Sequence, residues 1–178
     1  MKKNLFFITL SLIVLSGCGY TTRSAVSSSG SSIYVENFVN KIDIAKETSD
    51  EAVYYAYRPG MESDITRQII NRFIYDGNYL VTDAKNAHFL LKGQLVEFKR
   101  EPLRYDANDN VIEYRLSLVT NIELDDNRQG SVVWQESNFA GESTYRTTDQ
   151  YAKPENTAIK EAVDDLARRI VERTVENW

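Results

Sequence analysis

From Ile112 to Leu124 the chain alternates without a slip. Ile112, Tyr114, Leu116, Leu118, Thr120, Ile122 and Leu124 take one side, and Glu113, Arg115, Ser117, Val119, Asn121 and Glu123 take the other. A period of two with one apolar and one mostly polar face predicts a long antiparallel strand covered on one side, with Ser117 on the solvated side. A different period marks Met61, Ile65, Ile69 and Phe73, which recur every four residues, with Ile70 and Ile74 widening the stripe. That spacing predicts a helix, with Pro59 suited to its first turn and Gly77-Asn78 to its end. A second helix is predicted after Pro154, with Ile159, Val163, Leu166 and Ile170 as its apolar stripe and Arg168, Arg169, Glu172 and Arg173 facing water. Shorter runs predict the remaining strands: Ile33 to Phe38, Tyr79 to Thr82, His88 to Arg100 and Ser131 to Phe139. In the run from His88, Phe89, Leu91 and Leu95 share one parity and Leu90, Val96 and Phe98 the other, so both faces of a central strand are expected to be partly buried. Pro102 ends that strand or places it at an edge. Polar turns at Asp106 to Asn110 and Asp125 to Gly130 join the last three strands into a meander. The order β, α, β, β, β, β, α predicts an α+β fold: a mainly antiparallel four- to five-stranded sheet with two helices packed on one face.

The first 17 residues follow another logic. Lys2 and Lys3 precede an apolar run from Leu5 to Leu15 broken only by Thr9 and Ser11, too short for a stable transmembrane helix. It ends in Leu15-Ser16-Gly17-Cys18, which resembles the lipobox of bacterial lipoproteins, in which the cysteine sulfur is acylated before cleavage. Cys18 is the only cysteine in the 178 residues, so residues 1–17 are expected to be a lipoprotein signal peptide and Cys18 the lipidated first residue. Three acyl chains hold a protein at a membrane where one holds it only marginally. Gly19 stands where an Asp would resemble a retention signal, which implies the outer membrane. Residues 18–32, rich in serine, are expected to be an acylated start and flexible tether, and residues 33–178 a single α+β domain. The stretch from Asn40 to Tyr57 lacks periodicity and is expected to be an extended loop.

Charge narrows the choice of partners. The formal charge is −5, and removing the first 17 residues, which hold two of the 21 basic residues and none of the 26 acidic ones, takes it to −7. Global attraction to nucleic acid or to anionic lipid is not expected, and any anion must be met by a local basic patch. Lys99, Arg100 and Arg104 cluster around Pro102, and Arg115 comes near them if the strands pair across the Asp106 to Asn110 turn. Such a group is a candidate phosphate-binding site, while its plainer alternative is a solvated strand end balanced by Glu97, Glu101 and Glu113. Tyrosines 54, 55, 57, 75, 79, 105 and 114 are candidates for contact with a protein partner. Catalysis is not expected. His88 is the only histidine, there is no Cys/His metal constellation and no glycine-rich phosphate loop, and no cofactor is implied.

Several of these segments together resemble the lipopolysaccharide-assembly lipoprotein family, LptE. They are Cys18-Gly19-Tyr20, the strand from Ile33, the helix from Met61 to Tyr75, the strand from Leu90 to Phe98 with Gly93, and the run Asn110-Val111-Ile112-Glu113-Tyr114-Arg115-Leu116. The resemblance continues through Gly130 to Trp134, Tyr145 and the final helix. It implies a non-enzymatic outer-membrane lipoprotein that plugs and helps assemble an LptD-like β-barrel translocon, with two helices on a four-stranded sheet. Lipopolysaccharide is then the anion that Lys99, Arg100, Arg104 and Arg115 would meet. A second resemblance, through Ala87 to Gly93, is to periplasmic lipoproteins that bind and activate cell-wall synthases.

Overall fold

The computed structural model describes residues 31–42 and 59–176. The signal peptide, Cys18, most of the tether, the bulk of the 40–57 stretch and Tyr54, Tyr55 and Tyr57 lie outside the described residues. In chain order the elements are β1 (Ser32–Val35), β2 (Val39–Asn40), α1 (Met61–Asp76), β3 (Leu80–Val81), β4 (Phe89–Tyr105), β5 (Val111–Asp126), β6 (Ser131–Arg146) and α2 (Glu155–Glu176). The sheet runs β3-β1-β4-β5-β6, with β2 also pairing β4. The long hairpins β4–β5 and β5–β6 are antiparallel. The short strands β1, β2 and β3 pair in parallel, an arrangement that needs a crossover, supplied by α1.

The predicted first strand, Ile33 to Phe38, stops at Val35 and a second short strand follows it at Val39–Asn40, because Phe38 leaves the sheet to enter the core. Its N–H donates to Thr66 Oγ1 at 2.9 Å, and that hydroxyl donates to the Glu62 carbonyl at 2.8 Å. Helix α1 starts at Met61, after Pro59 and Gly60 have formed a turn, and ends where Gly77, at φ +75°, donates its N–H to the Phe73 carbonyl. That left-handed closure suits glycine. Met61, Ile65, Ile69 and Phe73 are buried, whereas Ile74, expected to widen the stripe, is exposed.

Strand β4 takes the edge alternative offered for Pro102 and corrects one expectation. It runs past Pro102 to Tyr105, because β1 and β2 accompany it only as far as Leu95 and beyond that point it is an edge, where a missing N–H costs little. Nor does its mixed parity mean two buried faces. The register shifts between Leu95 and Glu97, so one inward face comprises Leu91, Gly93 and Leu95 before the bulge and Phe98 and Arg100 after it. A single inserted residue exchanges the faces of everything that follows. In β5 the even residues Leu116, Leu118, Thr120, Ile122 and Leu124 are all buried, as the alternation predicts. The opposite face is not solvated at its centre: Ser117 is 6% exposed and Val119 is 8%, in the strand flanked by both long neighbours.

Helix α2 lies directly on β6 and β5, with Ala158, Ala162, Leu166, Ala167 and Ile170 buried. Small residues on both sides permit this approach. A Cβ at Gly141 would come within 2.4 Å of Leu166 Cβ and 2.6 Å of the Ala162 carbonyl oxygen. Arg169 and Arg173, expected to face water, turn onto β6 instead. Arg169 lies over the Phe139 ring and donates to the Ala140 carbonyl, and Arg173 covers Trp134 while meeting Glu136 at 3.5 Å. Their guanidinium groups lie 5.0 and 4.9 Å from the ring centres, a cation–π placement on aromatic surface.

Candidate functional site

The four predicted cations all lie on the β4–β5 hairpin but on opposite faces: Lys99 and Arg100 are adjacent in the strand, and the register shifts in β4 decide that Arg100 is the one that points inward. Lys99, Arg104 and Arg115 stand on the face away from the helices, and each has a carboxylate beside it: Glu97 at 2.9 Å, Glu113 at 3.3 Å and Glu142 at 3.9 Å. Glu101 also pairs in register with Arg115. Three cations among four carboxylates make a neutralised surface. A phosphate arriving there must displace an existing partner to gain each charge-assisted bond.

Arg100 occupies a different environment. Its side chain is 14% exposed on the helix side, where Nη1 donates to Glu155 Oε2 at 3.1 Å and to the Tyr145 hydroxyl at 3.3 Å. Tyr145 donates to the same Glu155 oxygen at 3.0 Å, and burial pushes its hydroxyl up to about 12. That hydroxyl therefore keeps its proton and remains a donor at neutral pH. The Arg100 guanidinium stacks 4.2 Å from the Tyr114 ring, which is itself stacked on Tyr145 at 5.5 Å. This cluster ties β4, β5 and β6 to the first turn of α2, where the Glu155 carboxylate also favours the helix dipole. Sequence reasoning found Arg100 but not its partners. Tyr145 and Glu155 are brought to it only by two strand pairings and a helix start, and no local spacing signals that.

Arg100→Ser should therefore cost about 3 kcal/mol, because it leaves a largely buried carboxylate without its cation. Lys99, Arg104 and Arg115 changed together to Ser should cost only about 1–2 kcal/mol, since exposed pairs each contribute little. Chemical denaturation of the two variants measures the difference. Equal losses would mean that the hairpin cations share one environment.

The other candidates separate as well. The His88 ring stacks on Phe89 at 4.3 Å, and its Nε2 lies 3.6 Å from Asp126. The Gln129 and Arg128 N–H groups also point at Asp126 and, with His88, hold its carboxyl below the usual range. Tyr79 sits edge-on between Phe73 and Phe89, while Tyr75 and Tyr105 are exposed near opposite ends of the sheet. The described tyrosines thus form no single surface. A cavity of 630 Å³ lies between the first halves of the two helices, floored by Met61, Ile159 and Val163 and rimmed by Asp64, Arg67 and Lys160. Among the described residues, no three of His, Cys, Asp and Glu converge as metal ligands, and no helix is long and apolar enough to cross a membrane.

A family model described as LptE, lipopolysaccharide-assembly, matches residues 31–174. Among solved structures, the chain resembles a Xanthomonas campestris protein of the DUF330 family at 11% identity and a TM-score of 0.55, covering 82% of this chain and 84% of that one. It also resembles a hypothetical protein of Chlamydia trachomatis at 14% identity and a TM-score of 0.52, over 83% and 96% of the two chains. Both likenesses concern the fold. Rare lipoprotein B of Shewanella oneidensis aligns at 15% identity and a TM-score of 0.48, over 80% of this chain and 94% of that one. No curated protein sequence matches.

Proposed function

The chain belongs to the LptE family of lipopolysaccharide-assembly proteins, and we propose that it acts as an outer-membrane lipoprotein that plugs an LptD-like β-barrel translocon and helps it assemble. The observation that carries this reading is the extent of the family match, which spans residues 31–174 and so takes in every element of the fold save the last two residues of α2. In this reading Cys18 bears the lipid anchor, the domain faces the periplasm or the barrel interior, and no catalysis or cofactor is involved. Its product is a folded, conducting barrel that delivers lipopolysaccharide to the cell surface.

Two modes of action fit a plug: filling the barrel, or engaging the phosphorylated glycolipid as it passes. The neutralised hairpin surface supports filling as the main role. Without residues 1–17 the chain, at formal charge −7, repels an anionic glycolipid at long range, and Lys99, Arg104 and Arg115 are already paired with carboxylates. The test changes these three residues to Ser in the full chain, leaving Arg100 in place because its loss would disturb the fold. Barrel co-purification is expected to persist and lipopolysaccharide binding to stay within about twofold of the parent, as screened, exposed pairs imply. Lost glycolipid binding with intact barrel association would make the hairpin a substrate contact. Lost barrel association would place it at the protein interface.

A further inference from the structure

A strand at the edge of a sheet presents unpaired N–H and C=O groups, and folded proteins blunt such edges by shortening, charging or covering them. Most edges of this sheet are blunted. Strands β2 and β3 are two residues long. Strand β4 beyond Leu95 carries Glu97, Lys99, Glu101 and Arg104, and Pro102 has no N–H to offer. Strand β6 is covered from Ala140 onward. Arg169 donates to the Ala140 carbonyl, the Glu142 N–H donates to Asp165 Oδ2 at 3.0 Å, and the Lys153 N–H donates to the Arg146 carbonyl beside a bridge between Arg146 and Ala152. The stretch from Ser131 to Ser137 has none of these devices. Six of its seven residues are exposed, it contains no lysine, arginine or proline, and no described residue bonds to the outer side of its backbone.

The register decides which backbone groups stand open there. The Thr147 N–H donates to the Ile112 carbonyl, so the even residues of β5 bond toward β6. Ile122 and Leu124 therefore hold Glu136 and Trp134, and Gln135 between them turns its N–H and C=O outward. We propose that this edge is completed by an extended segment of a partner polypeptide, added beside β6 as a further strand. The inference deepens the plug reading, on which it rests, by naming the element through which the barrel partner is held. A closed barrel wall has no free edge, so the segment comes from a loop or a terminus of that partner. Backbone bonds at Gln135 align the segment, and the exposed side chains of Val132 and Val133 give it apolar contact. A second copy of this chain does not fit the same edge. Arg173 covers Trp134, so α2 lies over this half of β6, and a two-fold antiparallel pairing would set two α2 helices on one face above adjacent strands. Strands sit about 4.8 Å apart, whereas packed helices need about 8–10 Å.

The test follows hydrogen exchange in the full chain alone and in its co-purified complex with the barrel partner, with Gln135→Pro and Gln135→Thr as variants. Proline removes the outward N–H and no bond to β5, while threonine keeps that N–H. Ser131 to Ser137 is expected to exchange freely in the chain alone and about tenfold more slowly in the complex, as a backbone hydrogen bond implies. Recovery of the barrel is expected to fall about tenfold with Gln135→Pro and to stay at the parental level with Gln135→Thr. Exchange at Ser131 to Ser137 that is the same in the complex as in the chain alone would overturn the added strand and leave the plug reading standing. Parental recovery of the barrel by Gln135→Pro would do the same. Protection in the chain alone that grows with its concentration would assign the edge to a second copy, and protection independent of concentration would assign it to the chain itself; either overturns the inference. A chain that recovers no barrel overturns the plug reading, and this inference with it.

Discussion

Leu116→Asp is expected to remove about 5 kcal/mol, most of the stability of an ordinary domain. Leu116 is fully buried on the inward face of β5, opposite Arg100 on one side and Ser143 on the other. Two costs add at this site. Removing a buried leucine side chain loses about 2 kcal/mol of apolar transfer, and the carboxylate that replaces it must be buried without a dedicated cation or taken up as the neutral acid. Arg100 lies directly across from Leu116, but its charge is already shared with Glu155, so a second carboxylate there would be compensated only in part. Asn121→Asp is the matched control. It sits on the opposite face, and an oxygen there still accepts the Asn138 N–H that Asn121 accepts at 3.1 Å, so its cost should stay within about 1 kcal/mol. Ser117 is unsuitable for that purpose: it is buried and its hydroxyl donates to Glu142, so an added carboxylate would meet a like charge. Thermal unfolding of the pair tests the assignment, and equal destabilisation would show that β5 does not separate a core from an open face.

Gly141→Ala is expected to cost about 3 kcal/mol, against the usual slight gain when the unfolded chain loses a glycine's freedom. The added methyl would sit 2.4 Å from Leu166 Cβ and 2.6 Å from both Leu166 Cα and the Ala162 carbonyl oxygen. Backbone supplies two of those three atoms, so rotating a side chain brings no relief and α2 itself must lift. The helix is held against lifting by the two residues that follow Gly141. Ser143 donates its hydroxyl to the Ala158 carbonyl at 2.6 Å, and the Glu142 N–H donates to Asp165 at 3.0 Å. Denaturant titration reads the loss, and a variant as stable as the parent would mean that α2 does not lie this close to β6.

Where local sequence determines the structure, the chain was legible. The stripe of α1, the stripe of α2 and the even-numbered face of β5 follow from spacing alone, because each element buries one side continuously along its length. The Asp106 turn was equally clear, and the reason is chemical: the Asp106 carboxylate accepts the N–H groups of Asn108 and Asn110, so the residues that write the turn also close it. Legibility failed at the bulges. The extra residue between Leu95 and Glu97 turns Arg100 inward and leaves Lys99 outside, so four cations that look like one cluster in sequence belong to two environments. Bulges have no side-chain signature that a period of two can register. Asn138, at φ +58° in β6, has the same effect: Trp134 and Glu136 lie on the helix side before it and Phe139 and Gly141 after it. Arg169 and Arg173 were misread for a related reason. Their positions on the helix wheel are peripheral, and only the aromatic side chains of β6 beneath them decide that they fold inward.

The central claim, that this family member works as the plug of a lipopolysaccharide translocon, is tested most directly by its partner. The full chain, tagged at its C-terminus and produced in its own cell envelope, is extracted in mild detergent and the co-purifying proteins are identified. Recovery of an outer-membrane β-barrel of the translocon type, in proportion to the tagged chain, is the predicted result. Recovery of an inner-membrane cell-wall synthase instead, with no barrel present, would contradict it.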